Sequence, residues 1–157
     1  MKYAVIDVGS NTVRLCVYDV LCSEKRKFKT IMNRKIMAGL AAYIVDGAFS
    51  DEGIAEAILA VKKCIKRASY LSPDRIDVFA TAVLRNISNS AQAIAAIEQG
   101  AGCTISLLSN ADEAHLGFVG ASSRGTLDDG ALIDIGGGST EITVIENGID
   151  AARTSLP

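Results

Sequence analysis

The stretch Ile133-Asp134-Ile135-Gly136-Gly137-Gly138-Ser139-Thr140-Glu141 decides how this chain of 157 residues is interpreted. An apolar run ends in three glycines and an alternating run follows, a pattern that indicates strand, tight turn and strand. Consecutive glycines let a ligand approach the main chain, and successive N–H groups in such a turn attract phosphate. Asp134 precedes the turn, where a carboxylate is suited to hold Mg²⁺. The stretch therefore predicts phosphoryl chemistry, with a glycine-rich hairpin and an incidental aspartate as the alternative.

A second copy of this pattern lies near the amino terminus. Residues 4–15 align without gaps on residues 131–142, so that Asp7 falls on Asp134 and the first glycine of each turn coincides. Two strand–turn–strand units of this kind can face one another across a cleft and bind one phosphate chain from both sides. The repeat favours a phosphate site over an incidental hairpin.

Composition places the chain among ordinary globular proteins. Apolar residues make up 49% and charged residues 22%, and the length suffices for one domain with a sizeable core. A net charge of −2 argues against non-specific nucleic-acid binding. The four cysteines show no C-x-x-C spacing, which is typical of reduced thiols in the cytoplasm. No signal peptide and no membrane-spanning stretch is evident, so we expect a cytoplasmic protein without membrane contact.

Hydrophobic periodicity predicts alternating strands and helices. The order is three strands, helix, strand, helix, strand, helix, which implies an α/β sheet covered by helices. A polar linker at residues 122–130 then precedes a new three-strand pattern. We therefore expect a first domain at residues 1–125 and the beginning of a second at 126–157. The predicted strands are residues 3–8, 13–20, 25–36, 76–80, 104–108 and 149–155, beside those of the second hairpin.

Four local predictions concern single segments of the chain. The composition of residues 3–8 predicts a strand buried on both faces. Residues 37–48 are predicted to form a loop. Ser50 is predicted to cap the first helix; Ser88 or Asn89 is predicted to cap a second, which Gly100 closes.

Four segments resemble motifs of one family, in that family's order. They are residues 7–15, 80–85, 109–114 and 134–141, and they are similar to successive motifs of the exopolyphosphatase and guanosine-pentaphosphate phosphatase family. This family belongs to the actin, sugar-kinase and chaperone-ATPase superfamily. The resemblance implies a ribonuclease-H-like (actin-like ATPase) lobe, with a mixed sheet flanked by helices. It also implies the first hairpin of a similar second lobe, most of which is missing.

The two turns supply the predicted ligands of phosphate and metal. The resemblance implies that Asp134 binds the metal, with Asp7 as its counterpart on the opposite wall and Glu141 within reach of the cation. The alternative is that each aspartate caps its own turn. Arg14 either contacts phosphate or faces solvent. The predicted phosphate-binding residues are Ser10, Asn11, Thr12, Arg14, Gly136, Gly137, Gly138 and Ser139.

Glu113 and Arg85 are the candidate catalytic residues. Ser109 and Asp112 fit a capping box, which leaves Glu113, about 100° further around the helix, to point elsewhere. By sequence alone Glu113 is an ordinary acid of a first helical turn; the resemblance implies the general base. Arg85 follows a strand end, where ligands bind in α/β sheets, although an exposed arginine is the alternative. His115, the sole histidine, is interpreted as a helix-surface residue.

These observations predict a phosphoanhydride hydrolase with Mg²⁺ as its cofactor. The resemblance implies inorganic polyphosphate or guanosine pentaphosphate as the substrate, with this chain as the amino-terminal portion of the enzyme. Two alternatives stay open: an ATP-binding kinase or ATPase of the same superfamily, and a non-catalytic phosphate or nucleotide sensor. The exposed edge of an incomplete lobe favours pairing into a homodimer.

Overall fold

The chain forms two compact units, Met1–Leu107 and Leu108–Pro157, each with its own sheet. The computed structural model describes residues 1–22, 27–123 and 125–156, so the predicted start of the third strand at residue 25 lies outside the described residues. In the described part, no helix has the length and apolar character needed to cross a membrane. The predicted division near residue 125 stays a prediction.

Strands and helices follow the predicted order with added short elements. The strands are β1 (Lys2–Val8), β2 (Thr12–Cys22), β3 (Lys27–Met37), β4 (Ile44–Val45), β5 (Ala48–Phe49), β6 (Arg75–Ala80), β7 (Ile105–Leu107), β8 (Gly130–Ile135), β9 (Thr140–Glu146) and β10 (Ile149–Leu156). The helices are α1 (Asp51–Ser69), α2 (Ala82–Arg85), α3 (Ser90–Ala101) and α4 (Asn110–Ser122).

The first unit is built on a mixed sheet of five strands in the order β3-β2-β1-β6-β7. Strands β1, β2 and β3 are antiparallel neighbours, whereas β1, β6 and β7 run parallel. The predicted mixed α/β sheet flanked by helices is thereby confirmed. Because β1 and β6 are parallel, their carboxyl ends meet at one edge of the sheet, with Val8 beside Ala80.

Strand β1 is buried on one face, so the prediction of burial on both faces is wrong. Ala4, Ile6 and Val8 are fully buried, whereas Asp7 between them is exposed. Helix α1 packs against β1 and β2 and contributes to the same core. The cap of α1 is confirmed, since Ser50 Oγ accepts a hydrogen bond from Gly53 N at 3.2 Å.

Residues 37–48 are more ordered than the predicted loop. A 3₁₀ turn at Leu40–Tyr43 leads into the β4–β5 ladder. Asp46 and Gly47 both have positive φ, at 49° and 76°, as an Asp-Gly hairpin turn requires. The prediction of a loop overlooked this signal, and burial of Leu40 at 0% exposure anchors the segment to the core.

Helix α3 begins after Asn89, one of the two predicted caps, but ends later than predicted. Its N-cap is Asn89, but the Asn89 side chain makes no cap bond and instead binds both backbone groups of Phe49. The helix closes at Gly102, in the left-handed conformation with φ of 70°. Gly100 lies inside the helix, where an added Cβ would come within 2.5 Å of Ile58 Cδ1. Close packing of two helices therefore explains this glycine.

The second unit is an antiparallel sheet of order β10-β9-β8 with α4 packed on one face. The predicted hairpin around the three glycines and the final strand are both present. Asn147 and Gly148 have positive φ, at 54° and 74°, and connect β9 to β10. Thr143 of β9 is buried under α4, where its Oγ1 lies 3.4 Å from the carbonyl oxygen of Ala114.

Candidate active site

The two glycine turns share one backbone geometry. Gly9 N donates to Thr12 O at 3.1 Å, and Gly136 N donates to Ser139 O at 2.9 Å. An added Cβ would lie 3.2 Å from that oxygen at Gly9 and 3.0 Å at Gly136, which is tighter than most such contacts. Each glycine is therefore required by the close approach of a carbonyl oxygen. The repeat detected in the sequence is a repeat of structure as well.

The first turn is anchored to the body of its unit. The carbonyl oxygen of Asn11 accepts hydrogen bonds from Ala38 N at 3.1 Å and Gly39 N at 3.0 Å. The carbonyl oxygen of Ser10 accepts one from Ala41 N at 2.9 Å. Ser10 is buried and Asn11 is exposed. These bonds hold the turn in one conformation, which lowers the entropy cost of binding a ligand.

The cross-strand pairs beside the two turns differ in charge. Asp7 lies opposite Arg14 in the β1–β2 ladder, whereas Asp134 lies opposite Glu141 in the β8–β9 ladder. Directly opposite residues have Cβ atoms about 5 Å apart. The second turn thus carries two neighbouring carboxylates, which suit a cation. The first carries a carboxylate beside a guanidinium, so a metal-binding role for Asp7 stays a prediction.

Arg14 belongs to β2, which follows the first turn, and Arg85 to the short helix that follows β6. Arg14 is exposed, and its Nε donates to Asn33 Oδ1 at 3.1 Å. Arg85 ends the short helix α2, which begins directly after β6 at the sheet edge shared with β1. Its Nε and Nη2 atoms are buried. Ligands bind at such an edge in α/β sheets, so the position of Arg85 suits its predicted role.

The start of α4 has the predicted cap. Ser109 Oγ accepts from Asp112 N at 3.1 Å and donates to Asp112 Oδ2 at 2.6 Å. The hydrogen bonds from Ser109 lower the pKa of Asp112, and the charge of Arg153 lowers this pKa further. Asp112 thus has the structural task that the capping box predicts. Glu113, the next residue, is half-buried and points about 100° around the helix axis from Asp112.

Two contacts between α4 and β10 show which end of the helix lies nearer to the glycine turn. Arg153 Nη1 lies 3.5 Å from the carbonyl oxygen of Ala111, and Arg153 pairs with Thr143. One helical turn later, His115 contacts Asp150. Asp150 pairs with Ile145, which is further along β9 from the glycine turn than Thr143 is. The amino-terminal end of α4, with Glu113, is therefore the end nearer to the Gly136 turn.

The carboxylates of the second unit differ in exposure. Glu141 is 5% exposed, and its Oε1 accepts from Ser155 Oγ at 2.9 Å. Asp134 and the glycines of the turn are exposed, whereas Ser139 is buried. Among the described residues, no group of three or more Asp, Glu, His or Cys side chains is arranged to hold a metal. Asp134 and Glu141 form a pair, which fits Mg²⁺ when phosphate and water complete its ligands.

The candidate residues are divided between the two units. Glu113, Asp134, Glu141 and the Gly136–Ser139 turn belong to Leu108–Pro157. The remaining candidates belong to Met1–Leu107 and are Asp7, Ser10, Asn11, Thr12, Arg14 and Arg85. Each unit thus brings its own turn and charged residues together, and the roles of all these residues stay predictions.

The surroundings of His115 were not apparent from the sequence. The His115 side chain is 45% exposed, and its imidazole Nδ1 lies 2.6 Å from Asp150 Oδ2. The hydrogen bond from His115 lowers the pKa of Asp150, and the charge of Arg153 contributes to the same shift. The two partners are 35 residues apart. No local spacing in the sequence could have indicated this contact.

Comparison with known proteins supports one family. The model of the Ppx/GppA phosphatase family matches residues 20–157. An exopolyphosphatase from Cytophaga hutchinsonii is similar at 25% identity with a TM-score of 0.89, over 99% of this chain and 50% of that chain. A Ppx/GppA family member from Aquifex aeolicus has the same fold at 24% identity with a TM-score of 0.82, over 100% of this chain and 51% of that chain.

The chain spans about half the length of these solved structures. The actin-like lobe that the sequence resemblance implied is confirmed by the mixed sheet and by both structural matches. The match over residues 20–157 covers most of the 157 residues. On this evidence the chain belongs to the Ppx/GppA phosphatase family.

Proposed function

We propose that this chain is the amino-terminal portion of a phosphoanhydride hydrolase that releases terminal phosphate from inorganic polyphosphate or guanosine pentaphosphate. The observation that carries the proposal is the repeated turn, closed by the same hydrogen bond at Gly9 and at Gly136. Such turns present main-chain N–H groups to anions. The likeness to a protein described as an exopolyphosphatase favours polyphosphate as the substrate.

Glu113 acts as the general base in this proposal. Its carboxylate takes a proton from water as the water oxygen bonds to the terminal phosphorus. The bond from that phosphorus to the bridging oxygen breaks, and orthophosphate leaves the shortened chain. Support comes from the position of Glu113 on the first turn of α4, at the end of the helix nearer to the glycine turn.

In each unit the glycine turn supplies donors to phosphate oxygens, and Arg85 adds a guanidinium group in the first unit. Ser10, Asn11 and Thr12 donate from one turn, and residues 136–139 donate from the other. Arg85 balances charge on the transferred phosphoryl group, since a planar guanidinium matches phosphate oxygens. Electrostatic stabilisation of this kind is the main source of rate in phosphoryl transfer. Arg14 is a further phosphate contact, oriented by its hydrogen bond to Asn33.

Asp134 and Glu141 are the residues that would hold Mg²⁺, with Asp7 as a third candidate. Proteins commonly hold Mg²⁺ through one or two carboxylates together with substrate phosphates. The ion supplies positive charge that offsets the charge of the phosphate chain. The burial of Glu141 and its bond to Ser155 fix the direction of one of the two carboxylates.

The test is phosphate release in the presence of Mg²⁺ from long-chain polyphosphate, guanosine pentaphosphate and ATP. We would assay this chain and the full-length protein, each as wild type and as Glu113→Gln. Loss of a general base should lower kcat by about 10²–10⁴-fold. Glu146→Gln, which removes an exposed carboxylate from β9, is the matched control and should retain activity.

Each outcome decides between the candidate functions. Release that Glu113→Gln abolishes would support the hydrolase and identify its substrate. Release that is insensitive to this substitution would remove Glu113 as the base. Binding of polyphosphate without release by the full-length protein would favour a sensor, and transfer of phosphate from ATP to another acceptor would favour a kinase.

A further inference from the structure

One flank of α4 is tied to β10 by a compact charged contact. Asp150 Oδ2 lies 2.6 Å from His115 Nδ1 and 3.3 Å from Arg153 Nη1. The Asp150 side chain is only 17% exposed. Arg153 Nη1 also lies 3.5 Å from the carbonyl oxygen of Ala111. Ala111 and His115 are one helical turn apart and share a flank of the helix, so β10 holds α4 at two successive turns.

An irregularity in β10 makes this contact possible. The register of β10 against β9 shifts between Asp150 and Ala152, so Ala151 is an extra residue in the strand. Side chains alternate between faces along a regular strand, which would place Asp150 and Arg153 on opposite faces. The extra residue instead brings both onto the face that α4 covers, and bulges commonly redirect side chains in this way.

The opposite flank of α4 carries Glu113. Ala114 and Phe118 face the sheet and are 2% and 9% exposed. His115 is about 100° around the helix from Ala114 in one direction, and Glu113 is about 100° in the other. Because the sheet order is β10-β9-β8, the flank opposite to β10 is the one towards β8, the strand that carries Asp134.

We propose that His115 is a positioning residue for Glu113. Its contact with Asp150 sets the rotation of α4 about its own axis and thereby the direction of the Glu113 carboxylate. A rotation of about 20° would move a group on the helix surface by about 2 Å, given a helix radius of about 5–6 Å. Misplacement of a catalytic group by about 1 Å can cost about 10²-fold in rate. The inference rests on the proposed role of Glu113 as the base.

The test compares His115→Leu with His115→Asn in the full-length protein. Leucine removes the contact, whereas the asparagine amide can still donate a hydrogen bond to Asp150 from a similar position. We expect His115→Leu to lower kcat by about tenfold or more with KM nearly unchanged, because a misdirected base affects the transition state and not substrate binding. His115→Asn should recover most of the lost kcat. Leu116→Ala, on the exposed side of the same helix, is the matched control.

Hydrogen exchange tests the same contact without depending on the reaction. In His115→Leu the amides of α4 should exchange faster than in the wild type and in His115→Asn, whereas exchange in α1 should be unchanged. Unchanged α4 exchange in His115→Leu would overturn the proposed contact whatever the activity. Faster α4 exchange with an unchanged kcat would overturn the positioning role. Faster exchange in a protein whose wild type releases no phosphate would overturn the hydrolase assignment and keep the contact.

Discussion

The glycines at positions 9 and 136 show how a single missing Cβ shapes the candidate site. At Gly136 the oxygen of Ser139 lies 3.0 Å from where a Cβ would be, so alanine must push the turn open and weaken the closing hydrogen bond. We expect Gly136→Ala to lower the free energy of unfolding by about 1–3 kcal/mol, from crowding and the weakened bond together. Urea denaturation measures this difference.

Gly120→Ala is the matched control for that substitution. Gly120 is exposed within α4, and an added Cβ would have nothing within 4 Å. Alanine is favoured over glycine in a helix by up to about 1 kcal/mol, so this variant should be as stable as the wild type or more stable. Equal effects of the two substitutions would contradict the close approach at Gly136.

At the scale of elements, Asn89 joins the β4–β5 ladder to the start of α3. Its Oδ1 accepts from Phe49 N at 2.8 Å, and its Nδ2 donates to Phe49 O at 2.9 Å. Asn89→Ala would leave both backbone groups without these partners, at a cost of about 1–3 kcal/mol in the free energy of unfolding. Chemical denaturation measures this cost.

The control at this scale is Gln92→Ala. Gln92 is exposed on the same helix, and surface substitutions of this kind usually change stability by less than about 0.5 kcal/mol. If Asn89→Ala also changed the free energy of unfolding by less than about 0.5 kcal/mol, the β4–β5 ladder would not depend on the asparagine. Protection of the Phe49 amide from exchange gives a second measure, since it should fall only in Asn89→Ala.

At the scale of the whole molecule, folding stability should fall in acid. Hydrogen bonds from Ser109 and His115, respectively, lower the pKa of Asp112 and of Asp150 from the ordinary value of 3.8. A carboxyl whose pKa is lower in the folded state than in the unfolded state stabilises the fold at any pH above its unfolded-state pKa. This stabilisation is lost as the pH falls through its folded-state pKa. Stability should therefore decline progressively below about pH 4.

Urea unfolding at a series of pH values between neutrality and about pH 2 checks this expectation. Asp150→Asn should reduce the difference in stability between neutral and acid conditions, because the variant has no carboxylate to protonate at that position. Glu146→Gln, which removes an exposed carboxylate from the same unit, is the matched control. An unaltered acid dependence in Asp150→Asn would rule out Asp150 as a source of the decline.

Sequence alone determined the features that depend on neighbours close along the chain. The paired Asp-x-Gly turns, the order of strands and helices, and the caps at Ser50 and Ser109 all rest on backbone angles and hydrogen bonds within a few residues. Family resemblance added the lobe architecture, which the fold confirms. The Asp46-Gly47 turn was also readable in the sequence but was overlooked, as its positive φ angles reveal.

Only the tertiary structure decided which groups meet across long separations. The contact of Asn89 with Phe49 spans 40 residues and that of His115 with Asp150 spans 35. The burial of only one face of β1 and the burial of the Glu141 side chain likewise depend on which helix covers which face of a sheet. The spacing of apolar residues shows which face of a helix or strand is buried, but not which element packs against that face. The packing partner depends on the shapes and buried surfaces of all the elements together.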